Sequence, residues 1–206
     1  MSLPIEMTAH WREAARSLAH PWRRLACGLV LLALILGIDH WLLAGTHSLL
    51  ATGIADETAH LATMVILLLA FPALRNIGFS VGCLVGSVVI DLDHIPLFLG
   101  SDLLTAQTNR PFTHGLLTIA IVMAVATAVR GRWRWVGLGV AVGLAAHFLR
   151  DLATSTAGVP LLWPISTTGY LLPYPLYVAT LALTLAWGVV TAALRTRSDK
   201  RREPGR

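Results

Sequence analysis

A run of about twenty uncharged, mostly apolar residues has to cross a bilayer or be buried on every side. This chain has the 19-residue run "LYVATLALTLAWGVVTAAL" from Leu176 and shorter apolar runs that continue past single polar residues, among them "LACGLVLLALILGI" from Leu25. Of its 206 residues, 55% are hydrophobic and only 13% are charged, too few charges to cover a water-soluble surface. The pattern predicts an all-α fold, a polytopic membrane bundle of about six transmembrane helices. The expected spans are 24–44, 57–74, 77–98, 113–130, 133–152 and 170–194. They make one transmembrane unit, 21–195, between a basic N-terminal segment, 1–20, and a basic tail, 196–206. A cleaved leader is disfavoured, because no small-x-small site follows the first run, which continues through Trp41 to Ala44. Cys27 and Cys83 sit inside apolar runs and act there as small hydrophobes, so no disulfide framework is expected.

The basic residues predict orientation. Arg12, Arg16, Arg23 and Arg24 precede the first span, and Arg75 lies between the second and third. Arg130, Arg132 and Arg134 lie between the fourth and fifth. Arg195, Arg197, Lys200, Arg201, Arg202 and Arg206 follow the last. All fall on one side, and only Arg110 and Arg150 fall on the other. The positive-inside rule makes the crowded side cytoplasmic, with both termini there, as in a multi-pass protein of a cell's inner membrane. The net charge of +5 then reports orientation and attraction to anionic lipid, and no nucleic-acid partner is expected. Tyr170, Tyr174 and Tyr177 are expected in the outer interfacial belt, Trp133 and Trp135 in the inner one.

The remaining ionisable residues gather at the opposite face. Asp39 and His40 lie near the outer end of the first span. Asp56, Glu57 and His60 open the second, while Asp91, Asp93 and His94 close the third. His114 opens the fourth, and His147 and Asp151 close the fifth. Ionisable groups within membrane spans are costly and suggest function, and a shared depth on several helices suggests one site. His147 and Asp151 are four residues apart and share a helix face, as do Asp56 and His60. Gly82 and Gly86 form a small-residue stripe on the third span, Gly139 and Gly143 another on the fifth. Such stripes let helices approach closely, so these two spans are expected to pair and to bring their acidic ends together. Pro96 disfavours helix at Ile95, so the third span should loosen at Asp93 and His94.

Imidazole with carboxylate suits a divalent metal, zinc first, with manganese or iron as alternatives. Asp56, His60, Asp91, Asp93, His94, His114, His147 and Asp151 are the candidate ligands, more than one ion needs, so one or two ions are expected. Glu57 or Asp93 is the candidate general base. Arg110 and Arg150, the only outward cations, are candidates to hold a phosphate group. The loop 153–169 is a candidate cover for the site. Read without function, His40 and His47 are interfacial residues, Asp102 is a loop carboxylate, and Asp151 simply pairs with Arg110 or Arg150.

The segments "DETAH", "DLDHIP", "RPFTHG" and "HFLRDLATSTAGVPLLWP", taken together, resemble the YdjM family, described as LexA-binding, inner membrane-associated metal-dependent hydrolases. The resemblance spans roughly residues 56–166 and rests on Asp91, Asp93 and His94, on Arg110, Thr113 and His114, and on His147, Asp151, Gly158, Trp163 and Pro164. It departs at Asn109, where the family pattern carries a His. It implies a membrane metallohydrolase; nothing in these residues speaks for a repressor partner. A fainter similarity of His147 and Asp151 to the zinc-dependent phospholipases C favours a phosphoester.

Three function classes follow. The first is a membrane-embedded metal-dependent hydrolase with an outward-facing His/Asp site, cleaving a lipid-linked phosphoester, with membrane lipids as partners and a lipid-like substrate. The second is a metal-independent membrane lipid phosphatase with a His–Asp pair, against which the missing Pro-Ser-Gly-His segment counts. The third is a non-enzymatic divalent-metal binding or transport protein. The inner halves of the spans offer such a transporter little polar lining beyond Ser80, Ser87 and a few threonines. An intramembrane metalloprotease is less favoured, since no His-Glu-x-x-His occurs.

Overall fold

The computed structural model describes residues 18, 20–71, 76–105, 108 and 110–202. Most of the expected basic N-terminal segment, the last residues of the tail, Arg75 and Asn109 lie outside the described residues. The elements are α1 (Pro21–Leu43), α2 (Leu49–Ala70), α3 (Ile77–Gly86), a 3₁₀ segment (Val89–His94), α4 (Ile95–Phe98), α5 (Leu116–Ala128), α6 (Arg132–Thr154) and α7 (Tyr174–Arg202). Five stretches are long and apolar enough to cross a membrane: α1, α2, the broken run Ile77–Phe98, α6, and α7 through Ser198. The protein is an all-helical membrane bundle.

The expected fourth span is shorter than foreseen. Helix α5 has 13 residues, about 20 Å of rise, against the roughly 30 Å of a bilayer core. Its N-cap, Gly115, is extended, and His114 lies before it in a turn whose N–H bonds the Pro111 carbonyl at 3.0 Å. The second span starts earlier than foreseen. Ser48 caps it by accepting the Ala51 N–H at 3.3 Å, which places Asp56 and His60 two to three turns inside α2.

The third span loosens, but at a different residue. Ile95 is helical (φ −55°, ψ −46°), and Pro96 sits in the first turn of α4, where its missing N–H does no harm. The break falls at Ser87 and Val88. There the Asp91 N–H turns to the Val88 carbonyl at 3.3 Å, which takes the Ser87 carbonyl out of the α-helical ladder.

Glycine determines how α3 and α6 pack. A Cβ on Gly82 or Gly86 would run into the backbone of Val136 or Val140. A Cβ on Gly139 or Gly143 would run into the Phe79 or Cys83 carbonyl. The two stripes therefore interlock backbone to backbone, as expected from sequence. A second contact joins α1, α2 and α7 through Ile35, Ala59, Ala62, Ile66, Leu69, Tyr177, Leu181 and Leu185. Large apolar side chains such as Val30, Val125 and Leu183 point outward, as a lipid-facing surface requires. Tyr177, expected at the interface, is fully buried, and its hydroxyl lies 2.5 Å from that of Thr63.

Candidate functional site

Four pieces of chain converge at one end of the bundle. Helix α2 supplies Asp56 and His60, and the 3₁₀ segment supplies Asp91, Asp93 and His94. The turn before α5 supplies His114, and α6 supplies His147 and Asp151. Residues three apart eclipse in a 3₁₀ helix, so Asp91 and His94 share a face, with Asp91 Oδ1 3.4 Å from His94 Nδ1. The Asp91 oxygen also lies 3.1 Å from His114 Nε2 and 3.3 Å from His147 Nε2. Asp93 stands 3.1 Å from His94 Nδ1 and 3.3 Å from His114 Nδ1. Across the cluster, Asp151 reaches His147 Nε2 at 3.3 Å and both His60 Nε2 and His114 Nε2 at 3.6 Å. The His60 and His147 rings stack, with centroids 3.8 Å apart.

The donor atoms fall into overlapping groups. One is Asp91, Asp93, His94 and His114; a second is His60, His147 and Asp151; a third is Asp56, His60 and Asp91. Asp91 belongs to the first and third and also faces His147 of the second, so it stands between them.

These groups fit a metal on three counts. First, His147 Nδ1 donates to the Ser87 carbonyl at 3.0 Å, the carbonyl freed by the break in the third span. That bond makes neutral His147 an acceptor at Nε2, facing two carboxylate oxygens that are acceptors as well. Second, His60 Nδ1 and Nε2, His94 Nδ1, His114 Nδ1, His147 Nε2 and Asp93 Oδ1 are all buried without a properly aligned hydrogen bond. Buried polar atoms in this state are rare and costly. Third, tetrahedral ligands about 2.1 Å from one ion stand roughly 3.4 Å from each other. The nitrogen–oxygen separations above run from 3.1 to 3.6 Å.

Around the ligands lies a supporting layer. Thr113 donates its hydroxyl to Asp93 Oδ2, and Arg110 pairs with Asp151 Oδ2. Glu57 faces Asp91, and its Oε2 is buried without a hydrogen-bond partner. Arg150 is fully buried and departs from the expected phosphate-holding role. Its guanidinium is engaged by Asp39 Oδ1 at 2.7 Å and Asp56 Oδ1 at 3.0 Å. Tyr174, expected at the membrane interface, instead donates to Asp39 Oδ2 at 2.6 Å. The cover expected at 153–169 begins only after α6 ends at Thr154. It packs against the segment that carries His114: Trp163 stacks on Phe112 at 4.4 Å, and the Leu161 carbonyl accepts the Leu116 N–H at 2.9 Å. His40 and His47 stand outside the cluster, His47 stacked on Trp41.

Sequence reasoning placed Asp39 at this face but gave it no role, and it missed Tyr174 and the Ser87 carbonyl. The signal for Asp39 was present, a carboxylate on an otherwise apolar span. Nothing local announced the Ser87 carbonyl, because it depends on where the helix breaks.

A family model described as YdjM inner membrane protein matches residues 56–203. No curated protein and no solved structure matches the chain.

Proposed function

We propose that this chain, which belongs to the YdjM inner membrane protein family, is a metal-dependent hydrolase that acts on a lipid-linked phosphoester at the membrane surface. The observation that carries the reading is His147 Nε2, locked as an acceptor and aimed at two carboxylates. Either a metal ion between them or a second proton on the imidazole makes that arrangement favourable, and the unpaired buried nitrogens of His60, His94 and His114 around it favour the metal. Charge supports a bound cation. Asp39, Asp56, Asp91, Asp93 and Asp151 meet at the site with two guanidiniums, Arg110 and Arg150. Divalent ions would offset the remaining negative charge, which is costly to bury uncompensated, and the separate donor groups support two of them.

Asp91, Asp93, His94 and His114 would hold one ion. His60, His147 and Asp151, with Asp56 beside them, would hold the other. Bound divalent ions supply Lewis acidity toward an ester oxygen and make water more acidic. The protein's own groups do the rest. Glu57, with an unengaged buried oxygen, accepts the proton from the attacking water. Asp93 is less suited to that role, because it belongs to a ligand group and its Oδ2 already accepts the Thr113 hydroxyl. Arg110 pairs with Asp151 and also borders an open cavity, so it can turn its remaining donors to a phosphate. Arg150 orients Asp56. The skew of basic residues supports a site on the outer face, with both termini cytoplasmic.

The test is hydrolysis of phospholipids and polyprenyl phosphates by purified protein, with and without chelator. Metal-dependent release of phosphate or a phosphorylated headgroup is expected. Equal activity after complete chelation overturns the metal role, and hydrolysis of acyl esters alone overturns the phosphoester.

A further inference from the structure

Beside the His/Asp cluster lies a cavity of about 370 Å³. It is bordered by the ends of α1 and α6 and the beginnings of α2 and α7, and is open on one side. Asp56 and Arg110 form its boundary with the cluster: Asp56 Oδ2 is 3.8 Å from His60 Nε2, and Arg110 bonds Asp151. Among Asp56, Asp91, Asp93 and Asp151, Asp56 keeps the most exposed side chain, at 34%.

We infer that this cavity is the subsite for the alcohol portion of the substrate, and that it is built for a small polyol, as in glycerol phosphate. The inference rests on the hydrolase reading and adds the class of headgroup. Size is the first argument. The cavity lies at the low end of small-molecule pockets, roughly 300–1,000 Å³, so it admits a headgroup and excludes a lipid tail.

Chemistry is the second argument. The polar part of the lining combines acceptors, Asp39 and Asp56, with Arg110, a donor, Thr52, which can do both, and Thr154, whose hydroxyl donates to the Arg150 carbonyl and can still accept. A carboxylate offers about four acceptor positions. Asp39 commits three, to the two Arg150 nitrogens and the Tyr174 hydroxyl. What is left accepts hydroxyl protons and repels further negative charge. Arg150 and Tyr174 already neutralise much of that wall, and a quaternary ammonium would find no aromatic cage there. Neighbouring hydroxyls, each both donor and acceptor, match the lining.

Position is the third argument. Leu42 and Leu43 border the cavity, and Leu43 is 87% exposed on the outside of the bundle. An acyl or prenyl tail can lie over these leucines in the bilayer while the phosphate sits beside Arg110 and the headgroup enters the cavity.

Binding tests this without relying on turnover. Titrate zinc-loaded protein in detergent with glycerol phosphate and with inorganic phosphate by calorimetry. Do the same for Ala153→Leu, which fills the cavity, and Thr52→Val, which removes a hydroxyl from its wall. Wild type is expected to bind glycerol phosphate about tenfold tighter than phosphate. Both variants should lose most of that preference while phosphate affinity and zinc content stay within about twofold of wild type. Equal affinity for the two ligands in wild type overturns the inference. So does a preference that survives in both variants, or no binding of glycerol phosphate. Protein that takes up no zinc, yet prefers glycerol phosphate in a cavity-dependent way, overturns the hydrolase reading and leaves the subsite standing.

Discussion

Arg150 Nη2 donates to Asp39 Oδ1 at 2.7 Å and to Asp56 Oδ1 at 3.0 Å, so one buried guanidinium on α6 ties α1 to α2. Asp39 lies outside residues 56–203, the stretch that matches the family model, yet it supports a residue inside it. Breaking a buried pair by removing one partner costs about 3–5 kcal/mol, because the other charge is left uncompensated. Asp39→Asn is therefore expected to lower stability by that order in a detergent unfolding titration. Tyr174→Phe, which removes one hydrogen bond to a charged group, should cost about 1.5–3 kcal/mol. Arg150→Lys should not rescue the network, since a single ammonium cannot present the guanidinium's planar fork to two carboxylates.

Gly143 faces the Cys83 carbonyl, and Gly86 faces that of Val140. Gly143→Ala or Gly86→Ala places a methyl group against backbone that has no side chain to move aside. Overpacking of this kind costs about 1–3 kcal/mol. Because α3 and α6 lead to Asp91 and His147, the same variants should also lower metal content. Unfolding midpoints and metal analysis on the same preparations check both effects. Full stability with full metal content would contradict the packing account.

Glu57→Gln removes the proposed proton acceptor but keeps its shape. Loss of a general base typically lowers the rate by about 10²–10⁴. The variant should show that loss in kcat with metal content unchanged, since Glu57 is absent from all three ligand groups. A fall in bound metal that matches the fall in rate would make Glu57 a ligand instead.

Ser101 and Arg132 lie on opposite sides of the predicted topology, and both are exposed. In a cysteine-free background, a cysteine at 101 should react with an impermeant maleimide in intact cells. One at 132 should react only after the membrane is opened. The reverse pattern would turn the site toward the cytoplasm.

Much of this arrangement was legible in the sequence, for reasons that can be named. The stripes Gly82/Gly86 and Gly139/Gly143 predicted which spans pair, because close backbone approach tolerates no Cβ there. The i,i+4 spacings of Asp56/His60 and His147/Asp151 predicted which side chains share a face. Other features depended on tertiary context. Asp56 and Glu57 read as a helix end because charges usually sit at the interface, whereas Arg150 compensates Asp56 inside the bundle. Pro96 looked like the breaker of the third span, but proline suits a first turn, so the break moved to Ser87 and Val88. Tyr177 looked interfacial because sequence cannot show that Thr63 waits across the bundle to bond its hydroxyl.

The central claim is that the His/Asp cluster holds divalent ions, and metal content tests it most directly. Purified wild-type protein, equilibrated with zinc at neutral pH and freed of excess metal, goes to elemental mass spectrometry beside Asp91→Ala and His147→Ala. The account predicts two zinc ions per chain in wild type. It predicts a loss of at least one in each variant, with the larger loss for Asp91→Ala, because that carboxylate faces His94, His114 and His147 together. A wild-type protein that retains no metal, or variants that retain the wild-type amount, would contradict it.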